Sequence, residues 1–88
     1  MVPSSSATVL IPVYNEEEAL GPVLERLGEV VPECEILVID DGSSDRSAEI
    51  ARQGGARVIS HTQNRGYGAS LKTGLRYARH EHIVIIDG

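Results

Sequence analysis

Along this sequence short aliphatic runs alternate with helical patterns, and that alternation limits the fold more than any other feature. The runs are Ala7 to Val13, Glu35 to Ile39, Ala56 to Ser60 and His82 to Ile86. Each has the length and the β-branched content of a strand. The first, second and fourth are nearly continuous apolar stretches, the pattern of strands buried on both faces of a parallel sheet. Between them the spacing predicts helices. Asn15 is placed to cap the first, with Glu18 completing a capping box and Glu16 to Glu18 favouring its N-terminal end. Leu20, Val23, Leu24 and Leu27 then recur at helical period, and Pro32 closes the segment. Ser43 or Ser44 can cap a second helix that runs to about Gln53 and stops at Gly54-Gly55. A third is expected from Gly66 or Tyr67 to near His80, with Leu71, Leu75 and Ala78 on its inner side.

Strands and helices alternating in this way form βαβ units with right-handed crossovers. The expected fold class is α/β: a parallel sheet with flanking helices, in strand order 3-2-1-4. Residues 1–6 read as a disordered lead and 7–88 as one structural unit.

The net charge of −5 offers no basic field for a phosphate backbone, which argues against nucleic acid as a partner. Cys34 stands alone, so neither an internal disulfide nor a cysteine zinc site is available. Residues Met1 to Ser6 lack the basic and apolar regions of a signal peptide. No apolar run approaches the roughly 18–20 residues of a membrane span.

In a parallel sheet all strand C-termini lie along one edge, where open α/β folds bind ligands. That edge collects Pro12 to Glu16, Asp40 to Asp45, His61 to Arg65, and Asp87-Gly88. Three of these clusters are rich in carboxylates, which repel unless a cation or a hydrogen-bonding ligand relieves them. Magnesium or manganese suits such oxygen donors and is commonly shared with substrate phosphates. Tyr14 offers a flat surface for a nucleobase, and Asp41 offers acceptor oxygens for base N–H groups.

Four segments, Ile11-Pro12-Val13-Tyr14-Asn15-Glu16, Val38-Ile39-Asp40-Asp41-Gly42-Ser43-Ser44-Asp45, Asn64-Arg65-Gly66-Tyr67-Gly68 and Ile86-Asp87-Gly88, occur in this order at βαβ spacing. Together they resemble the family 2 glycosyltransferases of GT-A fold, especially the polyprenyl-phosphate sugar synthases of the dolichol-phosphate mannosyltransferase kind. The resemblance implies the nucleotide-binding half of a GT-A (nucleotide-diphospho-sugar transferase) fold. It implies that Pro12, Tyr14 and Glu16 contact the nucleotide, and that the backbone around Ile39 and the Asp41 side chain hold the base. Asp87 resembles the first acid of the D-x-D motif that binds Mg2+ or Mn2+ on the sugar-nucleotide diphosphate. The second acid has no counterpart in the sequence. The expectation is therefore an N-terminal fragment, inactive by itself and carrying no catalytic residue.

The expected reaction moves a sugar with inversion from a GDP- or UDP-linked donor to an acceptor. The segment Asn64 to Gly74 favours a polyprenyl phosphate, and hence a full-length protein that is cytoplasmic and peripheral at the cytoplasmic membrane face. Two rivals remain: a metal-dependent nucleotidyltransferase and a non-catalytic nucleotide-binding fragment. A Rossmann dehydrogenase is rejected, because Leu71 occupies the third glycine position of the fingerprint and the loop follows the third strand. Gly66 and Gly68 are expected to permit a tight loop and close helix packing. Simpler roles are expected elsewhere. Asp40 would cap a turn, Asp45 would sit at a helix N-terminus, Arg65 would be a solvated loop cation, and Cys34 would be inert. His61, His80 and His82 would lie at the surface or at strand edges.

Overall fold

The computed structural model describes residues 7–87. The lead expected over 1–6, and Gly88, lie outside the described residues. The elements follow the order β1 (Ala7–Val13), α1 (Glu17–Val30), β2 (Glu35–Asp40), α2 (Ser47–Gln53), β3 (Arg57–Ser60), α3 (Tyr67–Tyr77) and β4 (His82–Ile85). The strands form one sheet in the order β3-β2-β1-β4, every pair parallel, as expected. Thr8 lies beside Glu35 and Val13 beside Asp40, so the ends of the two central strands are level.

Side chains alternate across the sheet and feed two cores. On one face Val9, Ile11, Val13 and Val38 pack with Leu20 and Leu24 of α1 and Ala51 of α2. On the other, Leu10, Leu37 and Ile39 pack with Leu71, Ala78 and Ile83 on the side of α3. The continuous apolar runs of β1 and β2 are thus buried on both faces.

Strand β4 differs. Its sequence has the same apolar character, but Val84 is 52% exposed and Ile85 45%. The cause is position: among the described residues β4 pairs with β1 alone, at the end of the sheet, and α1 and α3 are centred on the inner strands.

Two helix details also depart from expectation. Asn15 does not cap α1; it takes a left-handed φ of 52° and its side chain points to the β2–α2 loop. The first helical N–H groups are instead satisfied from that loop. Glu16 N donates to Ser47 Oγ at 2.9 Å and Glu17 N to Asp45 Oδ2 at 3.1 Å. Ser47 N and Oγ also donate to Asp45 Oδ1, so one carboxylate serves the starts of α1 and α2 together. In α3 the inner line is Ser70 and Gly74, and Leu75 is 59% exposed. A Cβ at Gly74 would fall on the Leu10 side chain, so the small residue lets the helix approach β1 closely. Gly66 carries the positive φ of 102° that the tight loop needs, whereas Gly68 has open space around it; close packing falls to Gly74.

Candidate functional site

The C-terminal ends of the strands are tied into one rim by the backbone. Asp41 N donates to Val13 O at 2.8 Å, His61 N to Asp40 O at 2.9 Å, and Ile86 N to Leu10 O at 3.0 Å. Each loop therefore leaves the sheet from a set height, and the loops enclose a cavity of about 310 Å³. Pro12, Tyr14 and Glu16 line it after β1, Asp41 after β2, Asn64, Gly66 and Tyr67 at the start of α3, and Asp87 after β4. This volume lies in the range of small-molecule sites. A second concavity, about 480 Å³, adjoins it on the α1 side and shares Glu16 and Asp87.

Of the residues expected to touch a nucleotide, the structure brings Pro12, Tyr14, Glu16, Asp41 and Asp87 to this one cavity. Ile39 is not among them. It is fully buried one position inside β2, in register with Pro12 on one side and Ile59 on the other, and its side chain belongs to the core facing α3. The contact expected at Ile39 was one of its backbone, and the buried side chain leaves that expectation as it stood. Tyr14 is half exposed and shows its ring at the rim.

Asp41 is 4% exposed, and its carboxylate is the hub of the rim. Oδ1 accepts from His61 Nδ1 at 2.7 Å and Arg65 N at 2.9 Å; Oδ2 accepts from Gly66 N at 2.8 Å and Asn64 Nδ2 at 3.0 Å. Those bonds use the four acceptor positions that a carboxylate has. Burial alone would raise the Asp41 carboxyl, but the bonds from His61, Arg65 N and Gly66 N outweigh it and hold it below its ordinary value. The side chain expected to read base N–H groups also holds the β3–α3 loop.

Sequence reasoning missed the partner that makes this possible. His61 was expected at the surface or at a strand edge; it follows the edge strand β3 directly, and its side chain is only 6% exposed. Its Nδ1 faces the acceptor-only carboxylate and so carries a proton; in the neutral ring Nε2 accepts from the Thr73 hydroxyl at 2.8 Å. The available signal was its place, one residue past β3 on the same rim as Asp41. His80 also has a partner, Thr8 Oγ1 at 3.0 Å, while His82 is exposed at the start of β4. Asp40 does what a strand-end acid was expected to do, accepting from Ser43 N at 3.3 Å.

Asp87 stands at the cavity mouth, where the Tyr67 hydroxyl donates to Oδ2 at 2.9 Å. That bond, then burial and the charge of Asp87, raise the Tyr67 phenol above its ordinary value. Among the described residues no group of three His, Cys, Asp or Glu side chains could hold a metal ion. The donor set nevertheless fits a hard divalent cation that takes one or two carboxylates and draws its other ligands from phosphates and water.

Residues 8–88 match the family described as Glycosyl transferase family 2. The chain belongs to that family. A relative from Edwardsiella ictaluri, named undecaprenyl-phosphate 4-deoxy-4-formamido-L-arabinose transferase, is 37% identical over 90 aligned residues, covering 91% of this chain and 28% of the relative. Glucosyl-3-phosphoglycerate synthase from Mycobacterium tuberculosis, solved with Mn2+, UDP-glucose and phosphoglyceric acid, superposes with a TM-score of 0.83 at 30% identity, covering 93% of this chain and 32% of that one. Mannosyl-3-phosphoglycerate synthase from Rubrobacter xylanophilus gives 0.81 at 26% identity, covering 93% and 30%. The fold is therefore the GT-A fold of this family, and the chain spans about a third or less of each of these proteins. Among its described residues no helix is long and apolar enough to cross a membrane.

Proposed function

We propose that this chain is the donor-binding part of a glycosyltransferase that uses a nucleotide-diphosphate sugar. The observation that carries the reading is the convergence of Tyr14, Asp41, Asn64 and Asp87, from four separate loops, on one cavity at the C-terminal edge of a parallel sheet. Tyr14 offers its ring to the base, Pro12 and Glu16 flank it, and the Asp41 hub keeps the opposite wall in place. Asp87 lies where the diphosphate would emerge toward the second concavity. A UDP-linked donor is favoured because the superposed synthase was solved with UDP-glucose and Mn2+.

Transfer would break the bond between the anomeric carbon and the diphosphate oxygen and form one to an acceptor oxygen from the opposite face, inverting that centre. A polyprenyl phosphate is the favoured acceptor, given the relative that acts on undecaprenyl phosphate. Its phosphate oxygen is already anionic, so little assistance from a general base is required. Asp87 would hold Mg2+ or Mn2+ on the diphosphate, and the ion, when bound, neutralises charge on that leaving group. Tyr67 orients the Asp87 carboxylate through its hydroxyl.

Calorimetric titration tests the reading. Metal-dependent binding of a UDP- or GDP-linked sugar by the folded chain supports it. Preference for a nucleoside triphosphate would instead indicate nucleotidyl transfer, and absence of any nucleotide binding would reject both.

A further inference from the structure

The two helical layers carry opposite charge. Of the 13 Asp and Glu residues all but Glu81 and Asp87 precede Ile50, and Glu18, Glu25 and Glu29 stand exposed on α1. From Ile50 to His80 there is no acid, and six of the eight Lys and Arg residues fall within that stretch. Two of the six are engaged elsewhere: Arg52 lies on α2, in the acidic layer, and Arg57 binds Glu35 and the Tyr77 carbonyl. The other four, Arg65, Lys72, Arg76 and Arg79, are exposed on α3 and on the loops that enter and leave it. Arg65, Lys72 and Arg76 form no ion pair among the described residues; Arg79, its side chain 70% exposed, reaches Glu35 at 3.8 Å. Lys72, Leu75 and Arg76 recur at helical spacing, so they share the outer side of α3, away from the buried Ser70 and Gly74. Leu75, 59% exposed, thus stands among cations.

We infer that this outer face of α3 docks the chain on a bilayer that bears anionic phospholipid headgroups. The inference rests on charge and exposure, and it is independent of what the cavity binds. A nucleic acid is a poorer fit, because four cations on a chain of net charge −5 make no extended basic track. A lipid surface needs less: cations at the depth of the phosphates and a small apolar group below them. Lys72 and Arg76 supply the cations, their aliphatic stems lie along the surface, and Leu75 beside them meets the top of the acyl region. The acidic α1 layer lies across the sheet, so repulsion from the same lipids turns it away and sets which side faces the bilayer. Arg65 sits between Asn64 and Gly66 of the cavity wall, so docking brings the rim beside the lipid. Each cation held at an anionic surface strengthens attachment about fivefold, and four give weak, reversible binding roughly 500-fold above that to a neutral bilayer.

The test is flotation of the chain through a density gradient with phosphatidylcholine vesicles, with and without phosphatidylglycerol; aggregates sink, so only lipid-bound protein rises. Two charge-matched pairs are compared with the native chain: Lys72→Glu with Arg76→Glu on the outer face of α3, and Arg26→Glu with Arg52→Glu in the acidic layer. The expected flotation needs phosphatidylglycerol and fades at high salt. It weakens by about 25-fold or more in the α3 pair and stays within about twofold of native in the other. Equal weakening by the two pairs would overturn the assignment, since net charge and not this face would then decide. So would native flotation that ignores phosphatidylglycerol or salt, or no flotation at all. Self-association of the native chain, abolished in the α3 pair and unaccompanied by flotation, would instead give the face to the acidic layer of a second copy. If the α3 pair fails to fold, Lys72→Gln with Arg76→Gln and the salt dependence of the native chain still decide: undiminished binding refutes the docking face. Nucleotide binding is read separately by calorimetry, and none of these outcomes bears on it.

Discussion

Strand β2 carries a hydrogen-bonded carboxylate near each end, and the two have opposite characters. At the N-terminal end, the Glu35 side chain is 11% exposed and accepts from Thr8 Oγ1 at 2.7 Å, Arg57 Nη1 at 3.1 Å and Arg79 N at 3.2 Å. Its donors come from β1, β3 and the segment after α3, and Arg57 reaches on to the Tyr77 carbonyl. This network closes on itself. Just past the other end, Asp41 gathers donors in the same way, but they sit on a loop that borders a cavity and presents Asn64 to it. The same chemistry acts as a clasp at one edge and as the frame of a cavity at the other. What differs is the partner: flanking elements for Glu35, a cavity-lining loop for Asp41.

Glycine substitutions should separate the two edges most sharply. Gly42, next to Asp41, has a φ of 74°, and an added Cβ would fall on the backbone of Gln63 and Asn64. Gly42→Ala is expected to lower the unfolding free energy by about 3 kcal/mol or more, measured by urea denaturation. Gly55, at the Glu35 edge, has a φ of 87° but open space around it, so Gly55→Ala should cost only about 1 kcal/mol. Equal losses would mean that the site edge is no more tightly packed than the other.

Next in size come the carboxylates. Asp41→Asn puts an NH2 group against main-chain donors and should cost about 2–3 kcal/mol and abolish measurable UDP binding. Glu35→Gln should cost about 1–2 kcal/mol, because its surroundings include a flexible arginine, and leave UDP affinity unchanged. A loss of affinity in Glu35→Gln would erase the distinction between clasp and frame.

Acid should weaken both edges together. For Glu35, as for Asp41, burial raises the carboxyl, but hydrogen bonds, here from Thr8, Arg79 N and Arg57, prevail and lower it. A lowered folded value means each contribution is complete above the ordinary carboxylate range near ~4 and is lost as pH falls through and below it. Urea midpoints measured down to about pH 2.5 should therefore fall with pH, and less steeply in Glu35→Gln. The smallest expected effects are those of Thr8→Val and Thr73→Val, each about 1 kcal/mol. Only Thr73→Val should weaken UDP binding, because only Thr73 orients His61 against Asp41.

Much of this molecule was legible without coordinates, and the reasons are local. Strands β1 and β2 declared themselves by unbroken runs of aliphatic residues, because burial on two faces leaves no place for alternation. The glycines at 54–55 and 66 marked where the chain must turn, and the order of segments placed Tyr14, Asp41 and Asp87 along one edge. What local pattern could not decide was which element each group would meet. Asn15 had the chemistry of a cap, yet Ser43 and Ser44 across the rim took its hydrogen bonds, and Asp45 and Ser47 capped α1 instead. Leu75 had the spacing of a core residue, but α3 approaches β1 through Ser70 and Gly74, so small side chains line its inner face. β4 had the composition of a central strand and lies exposed. His61 and Asp41, 20 positions apart, became partners only because parallel strands end level with each other. Periodicity and turn chemistry determine which elements form, since those preferences act within a few residues. The meeting of Asp41 with His61, Asn64 and the main chain of Arg65 and Gly66 was decided by tertiary structure, because hydrogen bonds between distant segments depend on where the sheet brings their donors and acceptors.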